Sequence, residues 1–181
     1  MRDVVIIYGG DSVENEISTQ SGEGIFKNID QSKFCASLLN IKDLKVDLIK
    51  QGTVIFIAVH GLGGEDGETQ KLLANNGIKF TGSSEDSAKL CWDKISSKAL
   101  MQKNKIPTPP HKIIRKDEKL DLKDQFFLSR ESLFVKPNSN GSSFGVSKVT
   151  DFKLLDQAVE EARKFSEDVI IEEAYNLAEY T

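Results

Sequence analysis

Two apolar runs, each closed by glycine, constrain the fold more than any other feature of this sequence. Residues 54–59 form the longest uninterrupted apolar stretch, and His60-Gly61 ends it. Residues 4–8 form a second run, which Gly9-Gly10 follows. Short runs of this kind are typical of strands buried on both faces, and glycine lets the chain turn where such a strand ends. Because helical patterns separate the runs, we predict a parallel sheet with crossover helices.

The pattern of the remaining residues changes at the proline-rich segment 106–110. Before this segment we expect a further strand at 34–41 and helices at 68–76 and 83–103. After it we expect a second, different unit, with strands at 111–114, 133–136, 146–149 and 169–172 and a helix at 151–165. The fold class is therefore α/β, with a parallel-sheet domain at 1–84, a helical connection at 85–106 and a smaller α+β unit at 107–181.

Composition excludes several classes of protein. The 181 residues include 24 Lys and Arg against 28 Asp and Glu, for a net charge of −4, which argues against nucleic acid or an anionic membrane surface as the main partner. No apolar run approaches the roughly 20 residues of a membrane span. Cys35 and Cys91 match no metal-ligand spacing and are expected to be reduced thiols. We therefore expect a cytoplasmic protein.

Two glycine-containing loops follow the first and third strands. The loop GGDSVENEIS carries an acid, Glu14, where a carboxylate can bind an ammonium group, although a plain tight turn explains the glycines equally well. The loop HGLGGEDGETQ begins with His60 and crowds four glycines and three acids into a short stretch. A demanding loop of this kind favours a site contribution over a purely structural histidine.

A third loop suits phosphate binding. A strand carries Lys136, and the sequence NSNGSSFG then offers backbone N–H groups and hydroxyls before the next strand. Such a loop can wrap nucleotide phosphates while the lysine neutralises their charge. It is not a P-loop, because no Gly-Lys-Ser/Thr opens a helix here. The alternative is a glycine-rich hairpin with an exposed lysine.

Six segments in order resemble the D-alanine–D-alanine ligases of the ATP-grasp superfamily. They are GGDSVENEIS, HGLGGEDGETQ, FTGSS, Asp93-Lys94 with Ser97-Lys98, VKPNSNGSSFGVSKV and IIEEAYNLAEYT. The resemblance covers essentially the whole chain. It implies an N-terminal Rossmann-like (pre-ATP-grasp) domain followed by the smaller α+β lobe of an ATP-grasp fold. It also implies a reaction: ATP phosphorylates one D-alanine, and the amine of a second attacks the acyl-phosphate, as peptidoglycan precursor synthesis requires.

The resemblance assigns roles to individual residues. Glu14 would hold the ammonium group of the first D-alanine, His60 would lie near its carboxylate, and Ser142 would belong to the loop that covers the reacting groups. The residues implied to bind ATP are Lys94 and Lys136 at the phosphates, Gly141, Ser142 and Ser143 in the phosphate loop, Glu172 and Glu173 at the adenine, and Glu179 at the ribose. Residues of both lobes are expected to converge on one cleft.

The resemblance also leaves questions open. Family members are longer, and the part expected beyond Thr181 carries an ω-loop tyrosine, an arginine and the ligands of two Mg²⁺ ions; none of the 181 residues is assigned to metal. We therefore expect the 181 residues alone to be inactive and to bind ATP weakly. Asn176-Leu177-Ala178 replaces a segment that usually contains glycine.

The alternatives are a D-Ala–D-lactate or other ATP-grasp ligase, a non-catalytic remnant and a generic Rossmann-like nucleotide binder. By analogy with the family, we expect a homodimer through the N-terminal domain.

Overall fold

The chain divides into two compact units, Met1–Cys91 and Trp92–Thr181, in a computed structural model that describes residues 1–175. Each unit contains one four-stranded sheet. The sheet of the first unit is parallel and that of the second is antiparallel, which confirms the mixed α/β class. Within the described residues, no helix combines the length and apolar character that crossing a bilayer requires.

The first unit is a parallel sheet with the strand order β2-β1-β3-β4. Its elements are β1 (Arg2–Tyr8), α1 (Asn15–Asn28), β2 (Phe34–Asn40), β3 (Val54–Ile57), α2 (Glu68–Asn75), β4 (Lys79–Phe80) and α3 (Glu85–Trp92), the last of which reaches the unit boundary. Two 3-10 turns, Ile41–Asp43 and Val46–Leu48, lie between β2 and β3. Strand β1 is central, and Val4 pairs with Ala36 on one side and Val54 on the other.

Both faces of this sheet are covered, which explains the continuous apolar runs. Successive residues of β1 enter different cores, because side chains alternate across a strand. Ile7 packs with Ile55 and Leu73 on one face. Ile6 packs on the other face, where Ile25 and Phe26 of α1 lie against it.

Gly22 allows α1 to approach β1 closely. A Cβ atom at Gly22 would lie 2.5 Å from Cβ of Tyr8, whereas a Cβ at Gly24 of the same helix meets nothing within 4 Å. Gly22→Ala should therefore lower the free energy of unfolding by about 1–3 kcal/mol through overpacking. Gly24→Ala, the matched control, should raise it by about 0.5–1 kcal/mol, because glycine weakens a helix interior. Urea unfolding of both variants measures this, and equal effects would contradict the close packing.

The second unit is an antiparallel sheet with the strand order β5-β8-β6-β7. Its elements are α4 (Lys94–Lys103), β5 (His111–Ile114), α5 (Gln125–Leu128), β6 (Leu133–Pro137), β7 (Ser147–Val149), a 3-10 turn (Phe152–Leu154), α6 (Leu155–Arg163) and β8 (Val169–Glu173). Leu133, Val135 and Ile171 pack in one core with residues of α6. Alternation along β6 and β8 places Lys136 and Glu172 on the opposite face.

The prediction of one helix over 83–103 is wrong, because the chain breaks at Asp93. Asp93 has an extended backbone (φ −89°, ψ 103°), and its side chain accepts a hydrogen bond from the Ser96 N–H as the N-cap of α4. The predicted helix at 151–165 is also too long. Asp151 caps a 3-10 turn, and the α-helix begins at Leu155 and ends at Arg163. In both cases an aspartate oxygen satisfies the first N–H groups of a new helical segment.

Candidate functional site

In the first unit, Glu14 lies where β1 and β3 end. It directly precedes α1 and is only 2% exposed. Gly61 follows β3 at φ +71°, and a Cβ atom on it would collide with Oε2 of Glu14. The backbone of the second glycine-containing loop therefore passes directly over the carboxylate. A glycine is needed at position 61 both for this close approach and for the left-handed backbone.

Two serines join the Glu14 and His60 loops. Ser12 accepts a hydrogen bond from the Glu14 N–H at 3.2 Å and donates one to the His60 carbonyl at 3.1 Å. Ser18 donates to the Glu14 carbonyl at 3.0 Å and accepts from the His60 N–H at 2.9 Å. All four bonds use the backbone of Glu14 and His60, so this network positions both residues through their main chains.

The His60 ring lies between a hydroxyl and an acid. Its Nε2 is 2.9 Å from Oγ of Ser21, and its Nδ1 is 3.8 Å from Oε1 of Glu65. The side chain is 38% exposed. A buried carboxylate and an accessible histidine therefore lie on two loops that are hydrogen-bonded together, and a carboxylate of this kind can bind an ammonium group.

Asp66 of the second loop has a structural role. Asp66 accepts hydrogen bonds from the N–H groups of Gly63 at 2.8 Å and Glu68 at 3.1 Å. Thr69 donates to the Gly63 carbonyl, and Gln70 donates to the Gly64 carbonyl at 2.6 Å. These hydrogen bonds therefore fold the glycine-rich and acid-rich loop into a turn that ends where α2 begins.

In the second unit, three lysines and one glutamate form a cluster. Glu172 is buried and accepts hydrogen bonds from Lys136 at Oε1 and from Lys98 at Oε2, the latter at 2.7 Å. Burial alone would raise the pKa of the Glu172 carboxyl, but the hydrogen bonds and charges of Lys136 and Lys98 outweigh it, and the pKa lies below its ordinary value. The carboxylate is therefore ionised at neutral pH. Its pairing stabilises the fold above the ordinary pKa, and that stability is lost as the pH falls through the lowered one.

Lys94 lies at the start of α4 and reaches the third loop. Its Nζ donates hydrogen bonds to the carbonyls of Asn140 at 2.8 Å and Asn138 at 3.3 Å. Burial, and secondarily the nearby charge of Lys136, lower the pKa of Lys94 below the usual 10.5. Two lysines that repel each other beside a loop form a site that a polyphosphate would stabilise.

Asn138 holds this arrangement together. Its Oδ1 accepts from the Ile95 N–H at 2.9 Å, and its Nδ2 donates to Oδ2 of Asp93 at 2.9 Å. The helix break at Asp93 is thus joined to the end of β6. This contact fixes the position of Lys94, at the start of α4, relative to Lys136 on β6.

Gly141, Ser142 and Ser143 form the turn of the third loop. Ser142 and Ser143 have φ values of 47° and 61°, which side-chain-bearing residues seldom adopt. Phe144 stacks obliquely on Phe165 with ring centroids 6.3 Å apart, and a Cβ on Gly145 would lie 2.5 Å from that ring. Ser139 N–H also donates to Oγ of Ser166 at 3.3 Å. The loop is therefore held by the chain that follows α6.

The last two predicted site residues are Glu173 and Glu179. Glu173 binds Nε of Arg130 at 3.2 Å at the end of β8. Glu179 lies outside the described residues. Among residues 1–175, no three His, Cys, Asp or Glu side chains come together as metal ligands.

Sequence reasoning missed several of the residues that build these sites. Lys98 lies on a predicted helix, where lysines are usually solvated, so its sequence position predicts no role. The sequence predicts no role for Ser12, Ser18 and Asn138 either, and in the structure they join distant segments of the chain. Ser12 and Asn138 are small polar residues within three residues of a predicted turn or strand end, whereas Ser18 has no such signal.

Several known proteins are similar to this chain. A family profile described as D-ala D-ala ligase C-terminus matches residues 100–181. The D-alanine–D-alanine ligase of Methylacidiphilum infernorum is 32% identical over 94% of this chain and 54% of its own length. That of Clostridium beijerinckii is 36% identical over 92% of this chain and 56% of its own length. A crystal structure of the Bacillus anthracis D-alanine–D-alanine ligase complexed with ATP covers 97% of this chain and 60% of that protein, with a TM-score of 0.84 and 31% identity.

The chain spans a little over half the length of the curated relatives that it matches. Both units lie within the matched region, since the alignments cover more than nine-tenths of the chain. The chain is therefore similar to D-alanine–D-alanine ligases over nearly its whole length.

Proposed function

We propose that this chain provides the first amino-acid site and part of the nucleotide site of an ATP-dependent D-alanine–D-alanine ligase. The γ-phosphoryl group of ATP passes to the carboxylate of one D-alanine, giving an acyl-phosphate and ADP. The amine of a second D-alanine then attacks the acyl carbon, an amide bond forms and phosphate leaves. The observation that carries the proposal is the pair of lysines beside the serine-containing loop: Lys94 bonds the Asn138 and Asn140 carbonyls, and Lys136 lies close enough for the two charges to interact.

The amino-acid site is assigned to Glu14 and His60. Glu14 binds the substrate ammonium group, and its burial strengthens that attraction by excluding water. His60 faces the substrate carboxylate. The hydrogen bonds through Ser12 and Ser18 support this assignment, because they fix the two loops to each other.

The nucleotide site is assigned to the second unit. Lys94 and Lys136 bind phosphates, and Gly141, Ser142 and Ser143 supply loop donors, with Ser142 closest to the reacting groups. Glu172 and Glu173 line the adenine pocket, and Glu179 binds the ribose. A phosphoryl transfer of this kind depends on charge neutralisation and positioning more than on covalent chemistry by the protein.

The remaining expectations concern the architecture and setting. We propose that residues 1–84 are a Rossmann-like domain, 85–106 a connection and 107–181 the smaller ATP-grasp lobe. The boundary between the compact units, at Cys91 and Trp92, falls inside that connection. A cytoplasmic role in peptidoglycan synthesis, Mg²⁺ as a partner of ATP and a homodimer through the first domain complete the proposal.

The test measures phosphate and dipeptide together. Protein expressed from the complete gene should release phosphate from ATP only when D-alanine is added, with one D-alanyl-D-alanine formed for each phosphate. The 181 residues alone should give no turnover, because the relatives contain a further stretch that these residues do not match. Equal phosphate release with another carboxylate, or a preference for D-lactate as second substrate, would contradict the assignment.

A further inference from the structure

Lys98 and Lys136 share the Glu172 carboxylate but differ in their other surroundings. Lys98 is only 10% exposed, and its ammonium group has three acceptors. They are Oε2 of Glu172 and Oγ1 of Thr108, both at 2.7 Å, and the Pro109 carbonyl at 3.4 Å. Because a lysine ammonium carries three N–H donors, Lys98 is fully satisfied within the protein.

Lys136 is more accessible and less fully bonded. Its side chain is 28% exposed. Within residues 1–175 its ammonium has a single hydrogen-bond acceptor, Oε1 of Glu172, and it lies 5.3 Å from the centroid of the Phe134 ring. It also lies close enough to Lys94 for the two charges to interact. Lys136 therefore has donors available on the face where Lys94 reaches the third loop.

A buried carboxylate needs a counter-ion at all times. Removing the only partner of such a group leaves an uncompensated charge, which is strongly unfavourable. If Lys136 were the sole partner of Glu172, its movement to a phosphate would leave the buried carboxylate without a counter-ion. Lys98 prevents this, because its ammonium group stays bonded to the other carboxylate oxygen, Oε2.

We propose that Lys98 is a positioning residue that stays on Glu172 as its resident counter-ion, and thereby lets Lys136 turn from Glu172 to a phosphate of the bound nucleotide. The inference rests on the nucleotide site proposed above. It divides the cluster into one structural lysine and one lysine that exchanges partners.

Nucleotide titrations test the exchange. In protein expressed from the complete gene, Lys98→Met should weaken ATP binding by about tenfold or more, because Lys136 becomes the only counter-ion of Glu172. Adenosine, which has no phosphates, should bind within about twofold of the wild type. Lys98→Arg should retain most of the ATP affinity, and Lys103→Met, an exposed lysine on the same helix, is the matched control.

The same substitution in a Glu172→Gln variant distinguishes partner exchange by Lys136 from a general destabilisation of the fold. In Glu172→Gln protein the buried charge is absent, so adding Lys98→Met should change ATP affinity by less than about threefold. An equal loss for ATP and adenosine, or the same loss in both backgrounds, would overturn the proposal.

An unfolding measurement decides the counter-ion relation without nucleotide. Lys98→Met and Lys136→Met each leave one lysine on Glu172, so the double variant, which leaves the carboxylate uncompensated, should lower the urea midpoint by more than the sum of the two single effects. If the double variant lowers the midpoint only by that sum, the proposal is wrong. Failure of the wild type to bind ATP would instead refute the proposed nucleotide site, and this comparison would still decide the role of Lys98.

Discussion

Glu14→Gln is expected to lower D-alanine-dependent phosphate release by about 10²–10³-fold, in the range measured when one partner of a buried charged pair is neutralised. The carboxylate lies beneath Gly61 in a buried position, where its attraction for an ammonium group is little screened. Glutamine has nearly the same shape, and the Ser12 and Ser18 bonds use only the backbone of residue 14. The fold should therefore survive, and steady-state kinetics against D-alanine concentration give the effect.

Glu16→Gln is the matched control for this substitution. Glu16 is exposed in the first turn of the same helix, and its neutralisation should change the rate by less than about twofold. ATP affinity should be unchanged in both variants, because ATP is assigned to the other unit. A Glu14→Gln protein with the wild-type dependence on D-alanine would remove Glu14 from the proposed site.

Lys94→Met is expected to weaken ATP binding by about 30–100-fold, which corresponds to the loss of one charge-assisted phosphate contact and of loop order. The lysine carries a positive charge to the loop, and its Nζ also bonds the Asn138 and Asn140 carbonyls. Calorimetric titration with ATP measures the change. Lys103→Met should bind ATP like the wild type, and an affinity for ATP that survives Lys94→Met would contradict the role of Lys94.

The lowered pKa of Lys94 adds a pH signature to the same experiment. A lysine with a lowered pKa loses its proton at a lower pH than an ordinary lysine, so wild-type ATP affinity should begin to fall below the usual lysine value of 10.5. Bound phosphate favours the charged form, so binding in that pH range should be accompanied by proton uptake. Titrations in buffers of different ionisation enthalpy detect the uptake, and it should be absent from Lys94→Met.

Much of the fold can be predicted from the sequence, because strands buried on both faces need continuous apolar residues. The apolar runs at 4–8 and 54–59 correspond to β1 and β3, and the glycines after them mark the turns. Strand β4 was missed, because two residues, Lys79 and Phe80, are too few to show a period. The break at Asp93 was missed for a different reason. The local pattern continues as a helix, and the contact with Asn138 that favours the break comes from a distant part of the chain.

The candidate sites show the same division between local and distant causes. Glu14, His60 and Lys136 are recognisable because each stands next to a strand end and a glycine-containing loop. Lys98 is different, because its surroundings are set by Glu172 on β8 and Thr108 before β5. No local pattern indicates that a helical lysine is buried, so its part in the cluster required the three-dimensional structure.

The left-handed backbone at Ser142 and Ser143 has a consequence for how this loop would respond to a ligand. Two side-chain-bearing residues in that region store on the order of 1–3 kcal/mol each, which the packing of Phe144 on Phe165 helps to offset. The resting shape is thus imposed by neighbours and is not the intrinsic preference of the serines. Any ligand that drew the loop away from Phe165 would therefore release part of this stored energy, which would offset part of the packing lost between the two rings.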